Sequence, residues 1–431
     1  MANLLWEAVS LYERWASGED LGEDEVYRLS SLLGSPTRKL DVALSRYRDV
    51  VGRLIEERCS SAPGGGEVCI YTWARWAFKR YFSAALDAGG TVLWKRGDGS
   101  VVLLAYPLHR AFDVGVRGVS LPGEPASLAA PRLDGWQVNA YWDPMLGRWE
   151  MATRFVLHNM RFTGRKLTVA VYGERINPVV EAAWAVAERL GLEGRLGGFK
   201  GWTLSFMLMH REPATALRRL PSKGDVEDLR LVLLAARKPD GTLLDPLESV
   251  EVARSLGVES LGSMLLKGLE EPGKALEASR SLVSHPAVFL WYRDDREHPS
   301  IYEVKSQVYE DYVKATRAGD ARSLLVLLTS GVGEVEERLR EALGGLVDEV
   351  KSALGELEDA IKSVGDPEAL RQLLEAAGIQ PKLASSAAKA LREKPERALR
   401  IVAVASVEGF KVEEAAEVLR GVSKAIKESA G

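Results

Sequence analysis

Arginines and lysines interleaved with aromatic residues form the pattern in this sequence best suited to chemistry. Arg148, Trp149, Arg154, Arg161, Arg165 and Lys166 lie around Trp142, Phe155 and Phe162, and Arg75, Lys79 and Arg80 lie among Trp73, Trp76, Phe78 and Tyr81. Guanidinium groups hold phosphates while rings stack on bases, the combination that single-stranded RNA binding requires. The same spacing also fits surface charge scattered over a buried aromatic core, and the sequence leaves both readings open. Other chemistries find little support. The five histidines, His109, His158, His210, His285 and His298, lack metal-ligand spacing, so no metal site is expected. No Ser-His-Asp or Cys-His signature is present.

The elements that must position these residues fall into three textures. Residues 1–60 read as helical: Ser35-Pro36 offers a helix start, and Leu40, Leu44, Tyr47, Val51, Leu54 and Ile55 recur at spacings of three and four. Pro63 and three glycines within Ser60 to Gly66 read as a linker. Residues 67–318 form a mixed region. Thr91–Trp94, Val101–Tyr106, Trp136–Trp142, Trp149–Thr153, Lys166–Val171, Thr203–Met209, Asp228–Ala235 and Ala287–Tyr292 are β-rich runs, with a helix over Val179–Leu190. Turns such as Gly97-Asp98-Gly99 and Pro239-Asp240-Gly241 are too short for parallel crossovers, so antiparallel sheets are expected. Residues 320–431 are helical. Leu339, Leu343, Leu346, Val350, Ala353, Leu357 and Val364 make a heptad-like seam, suited to packing within the chain or to a homo-oligomer contact.

Composition narrows the class. The 431 residues are 46% apolar, long enough for two or three domains, and the net charge of -4 gives no global case for nucleic acid, so any such partner must meet a local basic face. Glu7, Glu13 and Arg14 interrupt the first apolar segment, and runs such as Leu324 to Leu328 are too short to cross a bilayer, so no membrane partner and a cytoplasmic location are expected. The two cysteines, Cys59 and Cys69, lack zinc spacing and point to a reducing compartment, with a bridge across the Gly64-Gly65-Gly66 loop the less favoured alternative. Four Asn and four Gln in the whole chain point to a thermophilic source.

Within residues 100–310, a series of motifs resembles the nucleotidyltransferase domain of the bacteriophage-type ATP-dependent RNA ligases. Tyr106-Pro107-Leu108-His109-Arg110-Ala111-Phe112-Asp113 resembles the aromatic segment those enzymes place about twenty residues before their nucleophile. Arg132-Leu133-Asp134-Gly135, followed by the alternating strand from Trp136, resembles their Lys-x-Asp-Gly. Thr153-Arg154 matches the end of the return strand, Ser205-Phe206-Met207-Leu208 the Phe-Glu-Leu motif, and Tyr302-Glu303-Val304-Lys305-Ser306 the Lys-x-Lys-Ser strand. The resemblance implies an α+β fold: a ligase-type domain of two antiparallel sheets with flanking helices, joined to N-terminal helices and an all-helical C-terminal domain.

Four departures remove pieces of that family's chemistry. Arg132 replaces the lysine nucleophile, and a guanidinium stays protonated where lysine can attack. Met207 and His285 replace glutamates that orient ribose and metal, and Glu303 replaces one phosphate-binding lysine; magnesium needs hard oxygen ligands that methionine and histidine lack. The expected protein is a catalytically degenerate ligase-like pseudoenzyme of RNA repair. Arg132, Asp134, Gly135, Arg154 and Lys305 would line its nucleotide pocket, and Arg110, Arg148, Trp149, Arg161, Arg165 and Lys166 would meet RNA, a tRNA or another structured RNA. The C-terminal helices would select that RNA, or hold an active ligase partner or a second copy. No cofactor is implied for the degenerate form, while ATP and magnesium are implied for the alternative, an active ligase. A further alternative is an assembly subunit without RNA affinity.

Overall fold

The computed structural model describes residues 3–77, 80–211, 221–295 and 298–430, and it is an α+β protein of two compact units. The first comprises residues 1–276 and 287–305, the second residues 277–286 and 306–431.

The first unit opens with helices Leu4–Ala16, Glu23–Leu32 and Leu40–Val50. Asn3 caps the first, its Oδ1 accepting from the Trp6 amide at 2.7 Å, and Leu5, Ala8 and Val9 give it one buried face. The third begins at Leu40 instead of Pro36 and stops at Val50, because Ile55 already belongs to a strand.

Among the described residues sixteen strands follow in chain order: β1 Ile55–Ser61, β2 Glu67–Trp73, β3 Gly89–Lys95, β4 Val101–Ala105, β5 Phe112–Asp113, β6 Leu128–Pro131, β7 Trp136–Asp143 and β8 Arg148–Thr153. Then come β9 Met160–Thr163, β10 Lys166–Val169, β11 Thr203–His210, β12 Leu229–Arg237, β13 Leu243–Leu244, β14 Glu259–Ser260, β15 Ala287–Tyr292 and β16 Ser300–Lys305. The stretch expected as a linker is the turn of the β1–β2 hairpin, where Gly65 and Gly66 take positive φ. A Cβ on Gly66 would meet the Lys95 carbonyl oxygen at 2.1 Å. The cysteines face each other across this hairpin, at paired positions of β1 and β2, and are joined as a disulfide, which corrects the expectation of two free thiols.

Among the described residues the strands make four sheets where two were expected: β1-β2-β3-β4, the hairpin β9–β10, a six-stranded sheet of β13-β12-β11-β7-β8 with β14 beside β12, and β5-β16-β15-β6. Strand alternation sorts the side chains into layers. Leu204, Phe206 and Leu208 of β11, with Leu229, Leu231 and Leu233 of β12, face the helix Pro178–Arg189. Met207, Met209, Val232 and Leu234 point the other way, toward Leu128, Ala130, Trp291 and Ile301 of the β5-β16-β15-β6 sheet.

The second unit carries eight helices among its described residues, from Tyr309–Ala318 to Ala415–Ala430. Leu339, Val350, Ala353 and Leu357 of the heptad-like pattern are buried in its own core. Gly344-Gly345 divides the pattern between helices Gly333–Leu343 and Leu346–Val364, so the seam is not one continuous helix. Among the described residues no helix is long and apolar enough to cross a membrane.

Candidate functional site

A cavity of about 540 Å³ opens between the six-stranded sheet and the β5-β16-β15-β6 sheet, a size typical of small-molecule sites. Its wall collects side chains from distant segments by simple geometry. Ile301, Glu303 and Lys305 alternate along β16 and therefore share one face. Met207 reaches the cavity for the same reason along β11. Arg132 follows β6 directly, its amide donating to the Ala287 carbonyl at 2.8 Å. Gly135 is required by close approach: a Cβ there would meet the Leu208 carbonyl oxygen at 2.4 Å and Met207 Cγ at 3.0 Å.

The charges around the cavity are unequal. Arg132 donates through Nη1 to Glu303 Oε1 at 2.6 Å, and Lys305 pairs with Asp113. Arg154 has no carboxylate partner among the described residues, and its Nε is buried without a hydrogen bond. Its guanidinium sits 4.4 Å from the centre of the Trp73 ring. Arg110 lies over the same ring at 5.0 Å and over Tyr81 at 4.3 Å, donating to the Arg80 carbonyl at 2.9 Å. Burial, then the neighbouring cations Arg132 and Arg110, push Arg154 down to about 10. Arg154 remains a cation at neutral pH, so the shift measures the cost of holding an unpaired charge there. Burial lowers Arg110 as well. Two guanidiniums stacked on aromatic faces beside a third make a concave cationic surface suited to an anion carrying a planar ring.

The sequence-predicted residues separate into three groups. Arg132, Asp134, Gly135, Arg154 and Lys305 all line the cavity, joined by Met207, Glu303, Arg110 and Arg161. His285, expected with them, belongs to the second unit and is half-buried in the segment before β15. Arg148 and Trp149 do not line the cavity, and Trp149, expected to meet RNA, is buried. Arg148 holds the fully buried Glu150 at 2.6 Å and donates to the Gly173 carbonyl, while Arg175 grips the same carboxylate. Trp149 is packed against the helix Pro178–Arg189 layer. Arg165, at the turn of the β9–β10 hairpin, and Lys166, the first residue of β10, are exposed. Of the second basic cluster, Phe78 and Lys79 lie outside the described residues.

Three participants went unassigned to the cavity at the sequence level: Trp73, Tyr81 and Asp113. The sequence places Trp73 and Tyr81 in a separate basic cluster, and it is the fold that brings the Trp73 ring to 4.4 Å from the Arg154 guanidinium. Elsewhere, Lys95 is engaged by Glu57 at 2.9 Å and Glu13 at 3.6 Å. Among the described residues, the one cluster of potential metal ligands is Glu57 with Cys59 and Cys69, whose sulfurs are already bonded to each other. No protein-family model matches this sequence, and no curated protein is detectably similar to it.

Proposed function

We propose that this chain is a ligase-like RNA-binding protein that grips a nucleoside 5′-phosphate, carried at an RNA end, without forming a covalent bond to it. The observation that supports this most is the pair of guanidiniums of Arg154 and Arg110 over the Trp73 ring, with Arg154 in no ion pair among the described residues and only the more distant Glu303 carboxylate acting on its charge. An unpaired buried cation is costly, and a phosphate entering the cavity would supply its missing partner. The ring of Phe289, which also lines the cavity, supplies apolar surface for a base.

The residues argue against a covalent step. Arg132 occupies the position where the ligases carry lysine, and it is already tied to Glu303. Lys305 is the nearest amine on the cavity wall and is engaged by Asp113; a cation held in an ion pair is a poor nucleophile.

Fluorescence anisotropy in EDTA with two short oligoribonucleotides of one sequence tests the reading. The 5′-phosphorylated form should bind at least about tenfold more tightly than the 5′-hydroxyl form, and Arg154→Ala should erase the difference. Equal affinity for the two ends in the wild-type protein would overturn the proposal.

A further inference from the structure

Cys59 and Cys69 stand ten residues apart in sequence, a spacing that matches no zinc motif, yet the β1–β2 register sets them directly opposite each other. Side chains alternate along a strand, so Glu57, two residues before Cys59, projects from the same face of β1. A carboxylate oxygen of Glu57 and the two sulfurs all lie within 4.8 Å of one another. Glu57 and Cys59 are half-buried and Cys69 is fully buried, so solvent meets the group on its β1 side.

Glu57 is oriented by its neighbours. The Tyr71 hydroxyl and the Lys95 ammonium, the latter at 2.9 Å, both donate to Oε1, while Oε2 accepts no hydrogen bond among the described residues. Metal-ligating carboxylates are held by outer hydrogen bonds of this kind. The surroundings are also short of positive charge. Lys95 faces three carboxylates, Glu57 at 2.9 Å, Glu13 at 3.6 Å and Glu67 at 3.7 Å, and no second cation pairs with them among the described residues. A divalent cation arriving beside them meets a net negative field.

We propose that the Cys59–Cys69 link is a redox gate on a zinc site, in which reduction frees two sulfurs that bind Zn²⁺ together with Glu57. A thiol reductant supplies two electrons and two protons: the Cys59–Cys69 bond breaks, two thiols form, and the reductant leaves as its own disulfide. Zn²⁺ then takes both sulfurs as thiolates and releases their two protons to solvent. Two sulfurs and one carboxylate oxygen suit zinc, which accepts both ligand types in a tetrahedron, with water in the fourth place. Magnesium and calcium take oxygen ligands instead. While the sulfurs are bonded to each other they offer no thiolate, and the site is closed. The hairpin is therefore clasped in both states, by the disulfide in one and by the metal in the other.

The test uses the full chain, reduced with a water-soluble phosphine, which becomes the phosphine oxide by taking oxygen from water, and then freed of reductant under argon. Titration with Zn²⁺ in competition with a chromophoric chelator should give about one zinc per reduced chain and none for the oxidised chain. Cobalt(II) in place of zinc should give a thiolate-to-metal charge-transfer band in the near ultraviolet, a signature that surface histidines and carboxylates do not produce. Glu57→Gln keeps both thiols and should weaken zinc binding at least about tenfold. Zinc should raise the melting temperature of the reduced parent and leave that of Cys59→Ser/Cys69→Ser unmoved. A reduced parent that binds no zinc, or a cobalt complex without the charge-transfer band, would overturn the proposal. So would equal zinc binding by the oxidised chain, or an affinity unchanged by Glu57→Gln.

Discussion

Arg154 is a cavity-wall cation without an ion-pair partner among the described residues, and its energetics follow from that. Exchange for methionine removes a cation that burial disfavours and keeps a flexible apolar side chain over Trp73. Arg154→Met should therefore unfold within about 1 kcal/mol of the parent in urea, as is common when a buried charge gives way to an apolar residue of similar volume. The same variant should lose the thermal stabilisation conferred by metal-free ATP, which for the parent reaches about 2.7 kcal/mol at a hundred times the dissociation constant. His109, which also lines the cavity, gives a pH prediction. Burial and then Arg237 lower it from 6.5 to about 3, although its Nε2 donates to the Pro299 carbonyl at 2.8 Å. Between those values the unfolded chain binds the proton and the folded chain does not, so stability falls as pH drops from about 6.5 toward about 3, by up to about 5 kcal/mol in total. His109→Gln should move the acid-unfolding midpoint to lower pH, and circular dichroism against pH reads it directly.

At the scale of elements, the approach of β7 to β11 depends on Gly135. Gly135→Ala forces a methyl against the Leu208 carbonyl and should cost about 1–3 kcal/mol in urea unfolding, because neither backbone can yield without shifting Met207. The β1–β2 hairpin is closed by Cys59–Cys69 across ten residues of sequence, and loss of that link should cost about 3 kcal/mol. A reductant should lower the melting temperature of the parent and leave Cys59→Ser/Cys69→Ser unchanged. Much of this level was legible beforehand. β-Rich runs bounded by turn residues locate β7, β11, β12 and β15 to within a residue or two, because each strand is largely buried and must be apolar along its length. The Gly-rich stretch before β2 was misread, since turn residues look alike in a linker and in a hairpin; the alternation of Val68, Ile70 and Thr72 beyond it was the missing clue. Trp149, expected at an RNA surface with Arg148, is buried, because neighbours in sequence need not share a surface. On a strand, Arg148 and Glu150 share one face and Trp149 takes the other, and Arg-x-Glu was the signal that Arg148 is internally paired.

For the molecule as a whole, the cavity gathers residues separated by up to some two hundred positions, and no local pattern announces that. Arg132, Met207, Glu303, Lys305 and Arg154 line one cavity, while His285, expected with them, belongs to the second unit. Motif order carries no information about which unit a connecting segment joins. The helical second unit uses its heptad-like residues internally: Leu357 is fully buried, and Leu357→Ala should destabilise that unit by about 2–5 kcal/mol. Sedimentation equilibrium should find the same oligomeric state for parent and variant, because the residue faces the unit's own core.

The central claim, a nucleotide grip without covalent chemistry, is tested most directly by dialysing the protein to equilibrium against α-phosphate-labelled ATP with magnesium or manganese and then quenching in acid. Label should be retained by the native protein in excess of the bulk solution and released completely on denaturation. Label that stays with the precipitated chain would contradict the account, and so would a native protein that retains none.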